Sequence, residues 1–250
     1  MKSLILLLIT VTTAGLSISS AQTLPEETVN VTFRAFTWDR VNDNIIYYRD
    51  GSEEVRLRLP WMKRSEVLRY EGPPVLQFYQ KRKNKKGEWI QNPVASVDFS
   101  QSTIESPLLL FYLEKGNGSA KFGARILNDD MEDFPFGSYR VVNLTPASIR
   151  GHIGNDVFSL KPGQSTTVTP KKLISNDRNV VVEIQTPVDG EYKSVSESVW
   201  TYHPDGRTIC FLIENGQKGR DYFKINVMSE FESDNPPSED LEVRRMDVGN

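Results

Sequence analysis

Val55-Arg56-Leu57-Arg58-Leu59 alternates apolar and charged side chains without a fault. Successive side chains of a strand point to opposite faces, so this stretch reads as a strand with one face buried and one solvated. Leu108-Leu109-Leu110-Phe111-Tyr112-Leu113, directly after Pro107, is apolar throughout. A short unbroken run of this kind is expected of a strand covered on both faces.

The same signature recurs in both directions from these two stretches. Val29 to Trp38 alternates, with Val29, Val31, Phe33 and Ala35 on one side. Val75 to Lys81 and Glu88 to Ile90 flank a basic turn that ends in Gly87, and Lys121 to Leu127 follows Gly116-Asn117-Gly118. Later candidates are Tyr139 to Leu144, Ser148 to Ile153, Asp156 to Leu160, Ser165 to Thr169, Asn179 to Thr186, Glu191 to Tyr202, Thr208 to Glu214 and Tyr222 to Met228. Gly, Pro, Asn and Asp punctuate them, and no long amphipathic helix stands out. His203-Pro204-Asp205-Gly206 is a turn signal expected to place Thr201 near Thr208 across a hairpin.

Many short strands with turn chemistry between them predict an all-β protein of two tandem sandwich-like (immunoglobulin-like) domains. The acidic stretch Asn128-Asp129-Asp130-Met131-Glu132-Asp133 interrupts the pattern and is read as a solvated linker. The expected domains are residues 26–128 and 134–231, followed by a mobile tail over 232–250. A single long sandwich with the acidic stretch as a surface loop is the rival.

The chain begins Met1-Lys2-Ser3, continues with an apolar run from Leu4 to Val11, and reaches Ser19-Ser20-Ala21-Gln22. A positive start, a short apolar core and small residues at −3 and −1 predict a signal peptide over residues 1–21. The apolar core is shorter than the roughly 20 residues of a membrane span, and no later segment is long and apolar enough. The expected location is therefore periplasmic or secreted, with no transmembrane segment in the mature chain.

Composition narrows the function classes. The 250 residues carry a net charge of −3, 30 basic against 33 acidic residues, two histidines and one cysteine. A strongly basic nucleic-acid binder is not expected at this balance. Cys210 has no partner for an internal disulfide, and His152 and His203 are too few for a metal site built from several histidines or cysteines. No phosphate-cradling loop, His-Glu-x-x-His or Gly-x-Ser-x-Gly elbow occurs, so no cofactor and no catalytic residue is assigned. Cys210 sits in an apolar strand and reads as a small buried hydrophobe. His152 points away from the face of Ile149, Gly151 and Ile153, and is the residue to watch if the chain is an enzyme. The sequons at Asn30, Asn117 and Asn143 matter only in a eukaryotic secretory pathway.

Two features suggest a surface. Lys81-Arg82-Lys83-Asn84-Lys85-Lys86 reads as a basic hairpin tip, and aromatic doublets such as Tyr47-Tyr48 and Phe78-Tyr79 place one ring on each face of a strand. Trp89 lies beside the tip. The expected ligand contacts are Tyr79 and Trp89, with Lys83, Lys85 and Lys86 as the electrostatic part.

Gly137-Ser138-Tyr139-Arg140-Val141-Val142-Asn143-Leu144-Thr145-Pro146 is followed by Leu160-Lys161-Pro162-Gly163. This segment resembles a motif of secreted bacterial β-sandwich domains, including accessory proteins of alginate O-acetylation. The resemblance covers residues 137–163 only, departs from those proteins at Leu144-Thr145-Pro146, and implies a sandwich fold and an envelope location. The leading expectation for function is an exported, non-catalytic binding or structural module meeting a protein or polysaccharide of the bacterial envelope. The alternatives are an accessory subunit of an envelope polysaccharide-modification or export machine and a hydrolase acting on envelope polymers.

Overall fold

In the computed structural model, residues 28–41, 43–114, 122–171, 178–214 and 223–234 are described. The expected signal peptide, the sequon at Asn117, Tyr222 at the start of the last expected strand and the tail from 235 onward lie outside them.

The alternating stretches become strands that bury one face. Eight of them form a first sandwich: β1 (Val29–Thr37), β2 (Ile45–Asp50), β3 (Glu53–Arg58), β4 (Leu68–Gly72), β5 (Val75–Lys83), β6 (Trp89–Asp98), β7 (Pro107–Leu113) and β8 (Phe122–Asn128). Its two sheets run β4-β1-β7-β8 and β3-β2-β5-β6. Phe33, Ile46, Tyr48, Phe78, Leu109 and Phe111 fill the space between them. Eight more form a second sandwich: β9 (Ser138–Asn143), β10 (Ile149–Ile153), β11 (Asp156–Leu160), β12 (Ser165–Val168), β13 (Asn179–Val188), β14 (Glu191–Thr201), β15 (Gly206–Glu214) and β16 (Phe223–Phe231). Its sheets run β12-β9-β15-β16 and β11-β10-β13-β14. The fold is therefore all-β and sandwich-like, and among the described residues no helix is long and apolar enough to cross a membrane.

Adding eight to each strand number of the first sandwich gives the order of the second. The correspondence extends to register. β1 runs parallel to β7 with Arg34 opposite Leu108, and β9 runs parallel to β15 with Arg140 opposite Ile209. Each outer sheet carries a bulge at the same place, between Phe78 and Tyr79 and between Ile184 and Gln185. The unpaired residue is a valine both times, Val94 and Val195, packed against its own core. At the end of β1 the Thr37 hydroxyl accepts the Asp39 N–H at 3.1 Å. At the end of β9 the Asn143 side-chain oxygen accepts the Thr145 N–H at 3.0 Å. The molecule is an internal structural repeat that the sequence does not announce.

The two copies meet through their inner sheets. Phe36, Leu108 and Leu110 of the first pack with Val142, Ile209 and Phe211, which hold the equivalent register positions of the second. This is why β7 and β15 are apolar without alternation. One face of each fills its own sandwich and the other fills the junction. Polar contacts repeat the pairing. Arg34 reaches Glu230 at 2.7 Å, while its counterpart Arg140 donates to the backbone carbonyls of Asn128 and Asp133.

Three expectations are corrected. The acidic stretch joins the two sandwiches with Met131 to Asp133 exposed, but it is not solvated throughout. Asp129 is buried and accepts two hydrogen bonds from Arg64, at 2.8 and 2.6 Å, with Arg207 Nη2 3.2 Å away. Phe134 beside it is fully buried, with the guanidinium carbons of Arg140 and Arg207 at 4.8 and 5.1 Å from its ring. The Pro204 turn does form, with the Gly206 N–H on the His203 carbonyl at 3.1 Å. It joins no hairpin, because β14 and β15 belong to different sheets. The strand expected at Glu88 to Ile90 is the start of the ten-residue β6. Asn143 is fully buried and its amide donates to the Ala147 and Leu160 carbonyls, so that sequon is closed to a glycan.

Candidate functional site

The hairpin of β5 and β6 carries the basic tip. Its turn is closed by Asn84, whose side-chain oxygen accepts the N–H groups of Lys86 and Glu88 at 2.9 and 3.0 Å. Gly87 takes φ +82°, a conformation that other residues rarely adopt. Lys83 pairs with Trp89 across the hairpin, and its ammonium lies 5.3 Å from the indole ring. Trp89 is 68 % exposed.

Below the tip, register gathers side chains from four strands on the solvent face. Tyr47 on β2 is opposite Tyr79 on β5, and the two rings stack with centroids 5.9 Å apart. Lys81 sits one pleat further along β5, opposite Gln91 on β6, with its ammonium 4.7 Å from the Tyr47 ring. Glu54 on β3 joins them. It accepts a hydrogen bond from the Tyr79 hydroxyl at 2.6 Å and another from Lys81. These bonds, Lys81 first, hold its carboxyl below the ordinary glutamate range. Burial, and then the Glu54 bond, push the Tyr79 phenol up to about 12. The phenol therefore remains a donor and the carboxylate remains charged.

A cavity of about 590 Å³ opens here, lined by Asp43, Ile45, Tyr47, Glu54, Lys81, Trp89 and Gln91 among others. That volume falls within the range of about 300–1,000 Å³ usual for small-molecule sites. Ring faces, two carboxylates, an amide and an ammonium converge on it. The arrangement is suited to stacking and hydrogen bonding, and it contains neither a histidine nor a thiol.

The structure places the five expected contact residues unequally. Trp89 lines the cavity and Lys83 lies against its ring. Tyr79 faces the same side but is nearly covered, so it braces Glu54 and Tyr47. Lys85 and Lys86 are exposed at the turn and do not line the cavity. Sequence reading does not assign Tyr47, Glu54, Lys81 or Gln91 as contacts. Their grouping depends on the order β3-β2-β5-β6, which no local signal reveals.

The other chemically notable residues lie elsewhere. His152 is on the outer face of the second sandwich, as its alternation with Ile149 and Ile153 implies. Its Nδ1 is 2.9 Å from the Gly154 carbonyl and its Nε2 3.3 Å from Glu183. Cys210 is fully buried, and burial pushes its thiol up. Among the described residues no three His, Cys, Asp or Glu side chains are grouped to hold a metal ion.

No family model and no curated protein matches the chain. Among solved structures it is similar to the paired C2 domains of Extended-Synaptotagmin 2. The match has 10% identity, covers 89% of this chain and 98% of that one, and has a TM-score of 0.23. That likeness is too low to transfer fold or function.

Proposed function

We propose that the chain is an exported, non-catalytic binding module of the bacterial envelope, and that it takes a polysaccharide on the outer face of its first sandwich. Export rests on the Met1 to Ala21 pattern. The binding reading rests on one observation. The second sandwich keeps the scaffold of the first but carries different side chains at the groove positions, with Arg150 over the Tyr192 ring and neither stacked tyrosines nor the Glu54 carboxylate.

By register, Arg150 stands in place of Tyr47, Gln185 in place of Tyr79, Pro187 in place of Lys81, Val157 in place of Glu54 and Tyr192 in place of Gln91. Core positions, bulge and junction repeat, so the architecture needs none of the five groove residues. The exposed Trp89 ring beside carboxylate and amide groups suits sugar rings, whose apolar face stacks and whose hydroxyls donate and accept.

The test is glycan binding by the signal-processed chain and by Trp89→Ala, read by calorimetry against a polysaccharide panel. Loss of one ring contact of about 1.4 kcal/mol predicts affinity about tenfold weaker, with an unchanged melting temperature. Unaltered binding in the variant, or no bound glycan, would sink the proposal. A single cross-linked protein partner recovered from cells in place of a glycan would favour an accessory subunit.

A further inference from the structure

We infer that the polysaccharide taken by this groove is an anionic, linear one, whose acid groups are met by arginines and lysines flanking the ring contacts. The inference rests on the polysaccharide reading above and adds the charge and extension of the ligand.

The first observation is charge. Alternation along the strands places Arg49, Arg56, Arg58, Lys81 and Lys83 on the solvent face of β3-β2-β5-β6, with the core residues Ile46, Leu57 and Phe78 on the other. The acids lining the hollows of this face are Asp43, Glu54, Glu71 and Asp98. Glu54 is engaged by Lys81 and Tyr79, and Asp98 accepts the Ser100 N–H at 2.9 Å. Among the described residues, no carboxylate lies within ion-pair distance of Arg56, Arg58 or Lys83. Register puts Arg58 opposite Ile45 and Arg56 opposite Tyr47, directly beside the cavity wall. Arg56, Arg58 and Lys83 therefore stand beside the groove as cations without a carboxylate partner among the described residues. Such a patch raises the local concentration of anions and speeds their capture.

The second observation is shape. A further cavity of about 790 Å³ adjoins the first, and Gln91 lines both. Tyr79 and Gln77 lie along it, and Arg49 stands at its wall. One compact ligand does not need both hollows. A chain of sugar rings laid across β5 and β6 fills them in succession.

The third observation separates a glycan from other polyanions. Asp43 and Glu54 project into the first cavity. Both repel any anionic group placed there and both accept hydrogen bonds from hydroxyls, so the acid group of a bound ring lies outside this cavity, towards Arg56 and Arg58. An acidic sugar ring supplies hydroxyls for these carboxylates and an acid group for the arginines. A nucleic-acid backbone supplies mainly phosphates.

Calorimetry with the full signal-processed chain tests this with polygalacturonate oligomers of two, four and six rings, the same oligomers after carboxyl reduction, and chondroitin sulfate. The charged hexamer is expected to bind at least tenfold more tightly than its reduced form. Affinity should rise from two rings to six and fall between 50 and 300 mM salt. Arg56→Gln/Arg58→Gln should remove the preference for charge while leaving binding of the reduced hexamer unchanged. Chondroitin sulfate binding in place of polygalacturonate assigns the ligand to sulfated acidic chains and retains the inference. Equal binding of charged and reduced oligomers overturns the inference and leaves the polysaccharide reading standing. Length-independent binding overturns the extended ligand. Binding of the charged oligomers with unaltered affinity in Trp89→Ala marks charge attraction alone and overturns both, as does no binding of any probe.

Discussion

Asp129 shows how far a residue can depart from its local context. It sits in a run of acids and amides that reads as solvent-loving. Yet it is buried against Arg64 and Arg207, 65 and 78 residues away in sequence. Nothing near it in sequence announces either arginine. Asp129→Asn leaves two buried guanidinium groups short of their counter-charge. It is expected to destabilise the protein by about 3–5 kcal/mol, seen as a shifted midpoint in urea unfolding. Tyr79 carries a prediction of its own. Its phenol is pushed up from the ordinary 10 to about 12, so the folded state holds that proton more tightly than the unfolded chain. The associated stability is complete below pH 10 and is lost as pH rises towards 12. Tyr79→Phe should flatten the alkaline fall in unfolding free energy over that window. Trp89 and Lys83 were legible as surface residues because they flank a basic turn. Tyr47 and Glu54 were not, because their partners come from other strands.

At the scale of elements, local pattern goes a long way. The continuous apolar run of β7 was readable as a strand covered on both faces, and Leu109 and Phe111 do face one core while Leu108 and Leu110 face another. β4 is not among the expected strands, and β2 is expected only through its doublet Tyr47-Tyr48. Ile45-Ile46-Tyr47-Tyr48 puts large rings and branched chains on both faces, and Leu68 to Gly72 offers only two apolar positions, Leu68 and Tyr70. β2 therefore shows little alternation, and β4 alternates, Leu68-Arg69-Tyr70-Glu71, over too few residues to stand out. β10 lies close against its neighbours at Gly151. A Cβ at Gly151 would come within 2.3 Å of the Glu183 carbonyl oxygen on β13 and 2.8 Å of the Phe158 ring. Gly151→Ala must therefore push β10 away from β13. We expect a loss of about 1–3 kcal/mol, with faster amide exchange along β10 and β11 and unchanged exchange in β5 and β6.

At the scale of the whole molecule, the apolar junction decides behaviour. Domain contacts within a chain are often polar and loose. Here Phe36, Leu110, Phe134, Ile209 and Phe211 are fully buried between the copies, ringed by Arg34, Arg207, Asp129 and Glu230. The chain should unfold in one calorimetric transition, whereas Leu110→Asp should split it into two. The repeat behind this junction was invisible in the sequence, since equivalent positions share burial and seldom identity, as Phe36 and Val142 do. The junction also has a consequence in time. Translation delivers β1 to β8 well before β15, so the newborn first half stands with Phe36, Leu108 and Leu110 bare to its surroundings. Until the last strands arrive to cover that face, a neighbouring nascent copy offers the same kind of surface, and the contact that unites the finished molecule is the one by which unfinished ones would clump.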